Sequence, residues 1–151
     1  MRLEFAGTVI VAAPQQRVWD HLMDAEFVAT CAPGVAGVET VSDTEYRAVA
    51  KVGVGSLSFK FTMTVELTDL DPPTRSAMRV QGKAPGSVLD ATSTVILSAT
   101  SAKTTELAWT ASADARGSIA GTGARLLKGT AGKLIEKFWA TFGKRVEKAT
   151  R

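Results

Sequence analysis

Four features of the chain carry side chains that could do chemistry. They are the lone histidine His21, the lone cysteine Cys31, the acid pair Asp69 and Asp71, and the glycine-rich run from Gly117 to Gly123. Nucleophilic catalysis needs a nucleophile activated by an adjacent base. His21 lies two residues after Trp19 in a short helical run and reads as a packing or surface residue rather than a base. Cys31 precedes Ala32 and Pro33, which bring no activating charge, and reads as a small buried hydrophobe. One His and one Cys cannot assemble a metal centre, so no metal is expected. Asp69 and Asp71 lead into Pro72-Pro73 and read as turn residues. The Gly117–Gly123 run lacks the lysine of a phosphate-binding loop and follows a strand with no parallel unit after it. No cofactor is expected, and the chain reads as a binding protein rather than an enzyme.

Apolar side chains at regular spacing remain. Phe59, Phe61, Met63, Met78, Val80, Leu89 and Trp109 fall on the inward register of strands. Leu127, Leu134, Ile135, Phe138 and Trp139 fall on one stripe of a helix, and Trp19 on the inward face of a shorter one. Each of these can be plain core. As a set they could line a pocket, because small residues (Gly82, Ala84, Ala111, Ala113, Gly121) lie among them. Ligand cavities are mostly apolar, with a few polar groups fixing orientation. Tyr46 and Trp109 could supply such groups; Arg79 is on the outward register.

The elements that must position these residues follow from periodicity. Leu3 to Ala12 reads as a strand, with Pro14 in the first turn of a short helix bearing Val18, Leu22 and Met23. Asp24 can cap a second short helix that turns Phe27, Val28 and Cys31 inward and stops at Pro33-Gly34. The period then changes to two. Val35–Val41 and Tyr46–Val52 form a hairpin around Ser42-Asp43-Thr44, and Gly53-Val54-Gly55 bends the chain. Leu57, Phe59, Phe61, Met63, Val65 and Leu67 alternate strictly with polar residues, the pattern of an antiparallel sheet with one wet face. Three further strands follow, with turns at Asp71–Thr74 and Pro85-Gly86; the last two run Val88–Ala99 and Thr105–Ala115. Everything after Gly117 is helical in pattern, although its glycines each cost about 1 kcal/mol in a helix interior. A long amphipathic helix must bury its stripe, and a twisted sheet is the one large partner. The expected fold is α+β over residues 1–151 as one domain. A curved antiparallel sheet of about seven strands wraps a long C-terminal helix, the two short helices plug one end, and a gap lies between sheet and helix.

Composition agrees with a globular chain: 45% hydrophobic and 22% charged. No apolar run approaches the length needed to span a bilayer. The N-terminus makes a poor signal peptide, and a single cysteine fits a reducing compartment, so a cytoplasmic location is expected. The net charge of +3 is concentrated late. Arg125, Lys128, Lys133, Lys137, Lys144, Arg145, Lys148 and Arg151 face only Glu136 and Glu147 in that segment. Such a helix is a solvated face, or a peripheral contact with an anionic membrane or an acidic partner. Basic residues are not interleaved with exposed aromatics, so no nucleic acid is expected.

Several motifs carry a family resemblance: Trp19-x-x-Leu22-x-Asp24, Cys31-Ala-Pro33-Gly34, Lys51-Val-Gly53, Asp71-Pro72-Pro73, and Gly117-x-x-Ala120-x-x-Gly123-x-Arg125-Leu126-Leu127 running into Lys133-Leu134-x-x-Lys137-Phe138-Trp139-x-x-Phe142. With these, nearly the whole chain resembles the carbon monoxide dehydrogenase CoxG family of the SRPBCC/START-like helix-grip superfamily. It departs from that family at Arg116-Gly117, where Gly-Gly is common, and in the loop Ser101–Thr105. Members often have a C-terminal extension able to reach a membrane; this chain stops at Arg151, so no such anchor is expected. The resemblance implies a hydrophobic small-molecule ligand, lipid or quinone, and a role accessory to molybdenum hydroxylase subunits of the carbon monoxide dehydrogenase type at the inner face of the cell membrane. A ligand-free interaction adaptor and a small-molecule cyclase or hydrolase of the same fold stay open as alternatives.

Overall fold

The structure, a computed structural model, describes residues 1–150; Arg151 lies outside the described residues. Strand β1 (Arg2–Val11) is followed by α1 (Gln15–Leu22) and α2 (Ala25–Cys31). Six strands come next: β2 (Val35–Thr40), β3 (Glu45–Val54), β4 (Leu57–Asp71), β5 (Arg75–Ala84), β6 (Ser87–Ser101) and β7 (Thr104–Gly117). A single 3-10 turn, Ala120–Thr122, leads into α3 (Ala124–Thr150). All seven strands form one antiparallel sheet in the order β1-β7-β6-β5-β4-β3-β2. The two strands at the edges, β1 and β2, are consecutive in the sequence, so α1 and α2 must carry the chain across the full width of the sheet. This is the α+β helix-grip arrangement that the element order predicts.

The alternation in β4 does what a period of two requires. Phe59, Phe61 and Val65 are buried while Lys60, Thr62 and Glu66 are exposed. The pattern ends at a bulge between Thr68 and Asp71, where Asp69 takes φ +48°. Leu57, expected to continue the inward row, is 51% exposed because it lies past the end of the covered sheet. Two boundaries also differ from expectation. Pro14 is the extended N-cap residue of α1 rather than part of its first turn. Helix α3 starts at Ala124, not at Gly117, because Gly117 (φ +84°) and Gly123 (φ +101°) break the backbone. At Gly117 no other residue serves: a Cβ there would sit 2.0 Å from the carbonyl oxygen of Gly86.

Two buried clusters hold the molecule together. One gathers Val11, Val18, Trp19, Leu97, Leu107, Trp109, Trp139, Phe142 and Val146, so α1, α2 and the C-terminal half of α3 pack as a unit. Polar ties reinforce it. Asp24 accepts from the Glu26 and Phe27 amides at 3.1 and 3.2 Å. The Gln15 amide donates to the carbonyls of Pro73 and Leu97, and Glu147 accepts from the Ala12 amide at 2.8 Å. The second cluster (Leu3, Val54, Phe59, Phe61, Ala115, Ile119, Leu127) lies at the other end, and there α3 contributes only Leu127 as a buried side chain.

Candidate functional site

Between the sheet and the N-terminal half of α3 lies a cavity of about 220 Å³. Its sheet wall is Leu3 and Phe5 of β1, Val52 of β3, Phe61 and Met63 of β4, Leu89 and Ala91 of β6, and Ala111, Ser112, Ala113 and Ala115 of β7. Its helix wall is Ile119, Leu127, Thr130, Ala131, Leu134 and Ile135. The surface these residues present to the cavity is apolar throughout, and no ionisable side chain reaches it. The space exists because the facing positions are small: alanines line β7, and Ala131 sits at the helix face. Gly82 continues this logic beneath the wall, where an added Cβ would come 3.2 Å from Phe61 Cδ1.

A smaller cleft of about 60 Å³ lies farther along the same trough, between Leu22, Met23 and Val28 of the short helices, Met78 and Val95 of the sheet, and Phe138 and Trp139 of α3. It carries the polar groups that the larger cavity lacks: Tyr46, Ser76 and Ser93. Burial pushes the Tyr46 phenol above its ordinary value, so it stays neutral and a hydrogen-bonding group.

The thirteen residues expected to line a pocket are therefore divided by the structure. Phe61, Met63, Leu89, Leu127, Leu134 and Ile135 come together around the larger cavity. Met78, Phe138 and Trp139 border the smaller cleft. Trp19, Phe59, Val80 and Trp109 border neither. Trp19 is buried where α1 meets the C-terminal half of α3, so the two short helices close the trough at the end away from the larger cavity. Phe59 lies against Phe61, ring centres 6.2 Å apart. Trp109 lies over Gly7 of β1, where a Cβ would approach its ring to 2.7 Å, and stacks on Trp139 at 6.3 Å. These two indoles fill the trough between its ends. Sequence reasoning missed Leu3, Phe5, Val52, Ala91, Ser112, Ala115, Ile119, Thr130 and Ala131 as cavity residues. The period-two row of β1 could have pointed to Leu3 and Phe5.

The groups that could have been nucleophiles lie elsewhere. Cys31 is buried and its thiol is pushed up by desolvation, opposed by a hydrogen bond with Thr30 and by the charge of Arg145. It stays protonated and donates to the carbonyl of Phe27 at 3.4 Å. His21 rests against the ring of Phe27, centroids 4.3 Å apart. Among the described residues no group of three or more His, Cys, Asp or Glu could hold a metal ion.

A model of the carbon monoxide dehydrogenase CoxG family matches residues 7–147. The chain belongs to that family. Comparison with curated proteins finds no match. Among solved structures, a conserved protein from Geobacillus kaustophilus is 27% identical with a TM-score of 0.90, over 99% of this chain and 98% of that one. A START superfamily protein from Mycobacterium smegmatis gives a TM-score of 0.74 at 14% identity, over 97% and 99%. The Zhui aromatase/cyclase from Streptomyces sp. R1128 gives 0.68 at 20% identity, over 99% and 94%. The last two likenesses are of fold alone. The CoxG match spans the cavity wall apart from Leu3 and Phe5, and the Cys31-Ala-Pro33-Gly34 turn. In that turn Gly34 (φ +80°) passes so close to the Lys51 carbonyl that a Cβ would meet it at 2.2 Å.

Proposed function

We propose that this CoxG-family protein is a non-enzymatic carrier of a hydrophobic small molecule, accessory to a molybdenum hydroxylase of the carbon monoxide dehydrogenase type. In that role it would shield the apolar part of a lipid or quinone for maturation, membrane recruitment or quinone supply. The larger cavity carries this reading. A space of about 220 Å³ walled by apolar surface leaves its lining short of packing partners, at a cost that grows with its volume. Water does not relieve that cost, since a buried water needs polar partners and this wall offers none. An apolar occupant does.

The same chemistry selects the part of the ligand that is bound. A cavity of about 220 Å³ takes a segment of hydrocarbon or isoprenoid chain rather than a whole lipid or quinone. A polar head finds no partner inside and stays at the rim or outside.

Native mass spectrometry of the protein purified from its source reads the occupant directly, and titration with decylubiquinone or 1-aminoanthracene reads the capacity of the emptied protein. Ala131→Phe, which projects a ring into the void from the helix, should reduce probe binding at least tenfold while leaving the circular dichroism spectrum unchanged. Equal binding by Ala131→Phe and the parent protein, or no apolar adduct and no probe binding, would overturn the reading.

A further inference from the structure

The turns Gly55-Ser56 and Pro85-Gly86 and the segment Gly117–Gly123 come together at the cavity end of the molecule. A Cβ added at Gly55 would lie 3.2 Å from Leu126 Cδ2, and one at Gly86 3.0 Å from Ser118 Oγ. Two large apolar side chains project from this end. Leu126, the neighbour of the cavity residue Leu127, is 47% exposed, and Leu57 is 51% exposed. Five exposed cations lie toward the same end: Arg125 and Lys128 on α3, and Lys51, Lys60 and Lys83 on the outer face of the sheet. Lys51 and Lys60 are directly opposed across β3 and β4, an arrangement of like charges that sheets usually avoid. Among the described residues none of the five is in an ion pair.

Acids are absent from the sequence here. None occurs in 46–65, 82–89 or 115–135. Asp90 and Asp114 are engaged by Arg116, Asp114 also by the N-terminal amine, and Glu4 by Arg2; Glu39 lines the same outer groove as Lys51 and Lys60. At the opposite end the turns carry Asp43, Glu45, Asp69 and Asp71 beside Arg75 and Lys103, and the last turns of α3 add Lys144, Arg145 and Lys148. Cations without accompanying acids are thus a feature of the cavity end, which carries Leu57 and Leu126; the third exposed leucine, Leu70, lies between Asp69 and Asp71 at the other end.

We infer that this end docks on an anionic lipid bilayer, with Leu57 and Leu126 entering the interface and the five cations meeting the headgroups. An apolar side chain accompanied by Lys and Arg is the chemistry of peripheral lipid binding. The same end abuts the larger cavity, so docking brings the cavity to the lipid rather than to water. Contact is made by the tip of the molecule and the first turn of α3, not by the lysines along the rest of that helix. The docking face stands whether or not the cavity carries cargo.

Co-sedimentation with phosphatidylcholine vesicles, with and without phosphatidylglycerol, tests it. Binding should require phosphatidylglycerol and weaken with salt. Each cation near an anionic surface contributes roughly fivefold in affinity. Lys51→Gln with Lys60→Gln, and separately Arg125→Gln with Lys128→Gln, should therefore each lose more than tenfold. Leu57→Ser with Leu126→Ser should lose a comparable factor. Lys144→Gln with Lys148→Gln, far along α3, should change binding less than twofold, and Ala131→Phe should still bind vesicles, which keeps this test separate from that of the cavity. The inference is overturned if the parent protein ignores anionic vesicles, if the far-helix pair loses as much as the tip pairs, or if the tip cations serve only an acidic protein partner.

Discussion

At the scale of single residues, burial rather than reactivity governs the groups that stand out in the sequence. Desolvation lifts the Cys31 thiol above its ordinary 9.0, so above pH 9 the folded chain holds a proton that the unfolded chain has released. The stabilisation that results is intact below pH 9 and is lost as pH rises through the folded value. Thermal melts taken from neutral to alkaline pH should show the parent protein losing more stability above pH 9 than Cys31→Ala does. At neutral pH Cys31→Ala should cost about 1 kcal/mol for the deleted buried sulfur and leave probe binding unchanged. An equal alkaline slope in both proteins would mean that the thiol is not the group titrating. Gly117 makes the opposite kind of case, because its role is to lack a side chain. Gly117→Ala must force a Cβ to 2.0 Å from a backbone oxygen at a positive φ, so a loss above about 2 kcal/mol in chemical denaturation is expected.

At the scale of elements, what was legible depended on how local the signal is. The strand β4 and the buried stripe of α3 could be read directly, since Phe59, Phe61 and Val65, or Leu127, Trp139, Phe142 and Val146, repeat at the period of their own element. The start of α3 could not. The residues from Ile119 to Leu127 keep a helical spacing, but Gly123 takes a conformation that spacing does not reveal. Nor could the outcome for Trp109 be read, because it depends on Gly7 in a strand about a hundred positions away that gives the indole room to lie flat. Large aromatics look like pocket walls in a sequence; here Phe5 and Phe61 are wall, Trp109 is buried filling, and the alanines farther along β7 leave the void. Within α3 itself, Gly129 has open space where a Cβ would be. Gly129→Ala should therefore raise stability by roughly 0.5–1 kcal/mol through helix propensity alone, measured by urea denaturation. A loss of stability instead would mean that the backbone at this point needs a conformation other than the α-helical one.

At the scale of the whole molecule, the two clusters divide the labour. The end built from α1, α2 and the C-terminal half of α3 buries Trp19, Phe142 and Val146 with 5%, 0% and 0% exposure and is tied by Gln15 and Glu147. The cavity end holds α3 by Leu127, and the Ile119 amide, donating to Ser87 Oγ at 3.0 Å, fixes only the segment that precedes Gly123. Local opening follows the density of such contacts. The expected motion is an outward swing of the N-terminal half of α3, pivoting on the packed half and released at Gly123. A cargo that cannot pass through the stacked Trp109 and Trp139 would enter and leave at this end. Hydrogen exchange should then find the amides of 124–135 opening at least tenfold more readily than those of 136–147 in the empty protein. Saturation with decylubiquinone should remove most of that difference by supplying the contacts the void lacks. Uniform protection along α3 without ligand would make the helix a rigid cover and move the entry route away from it.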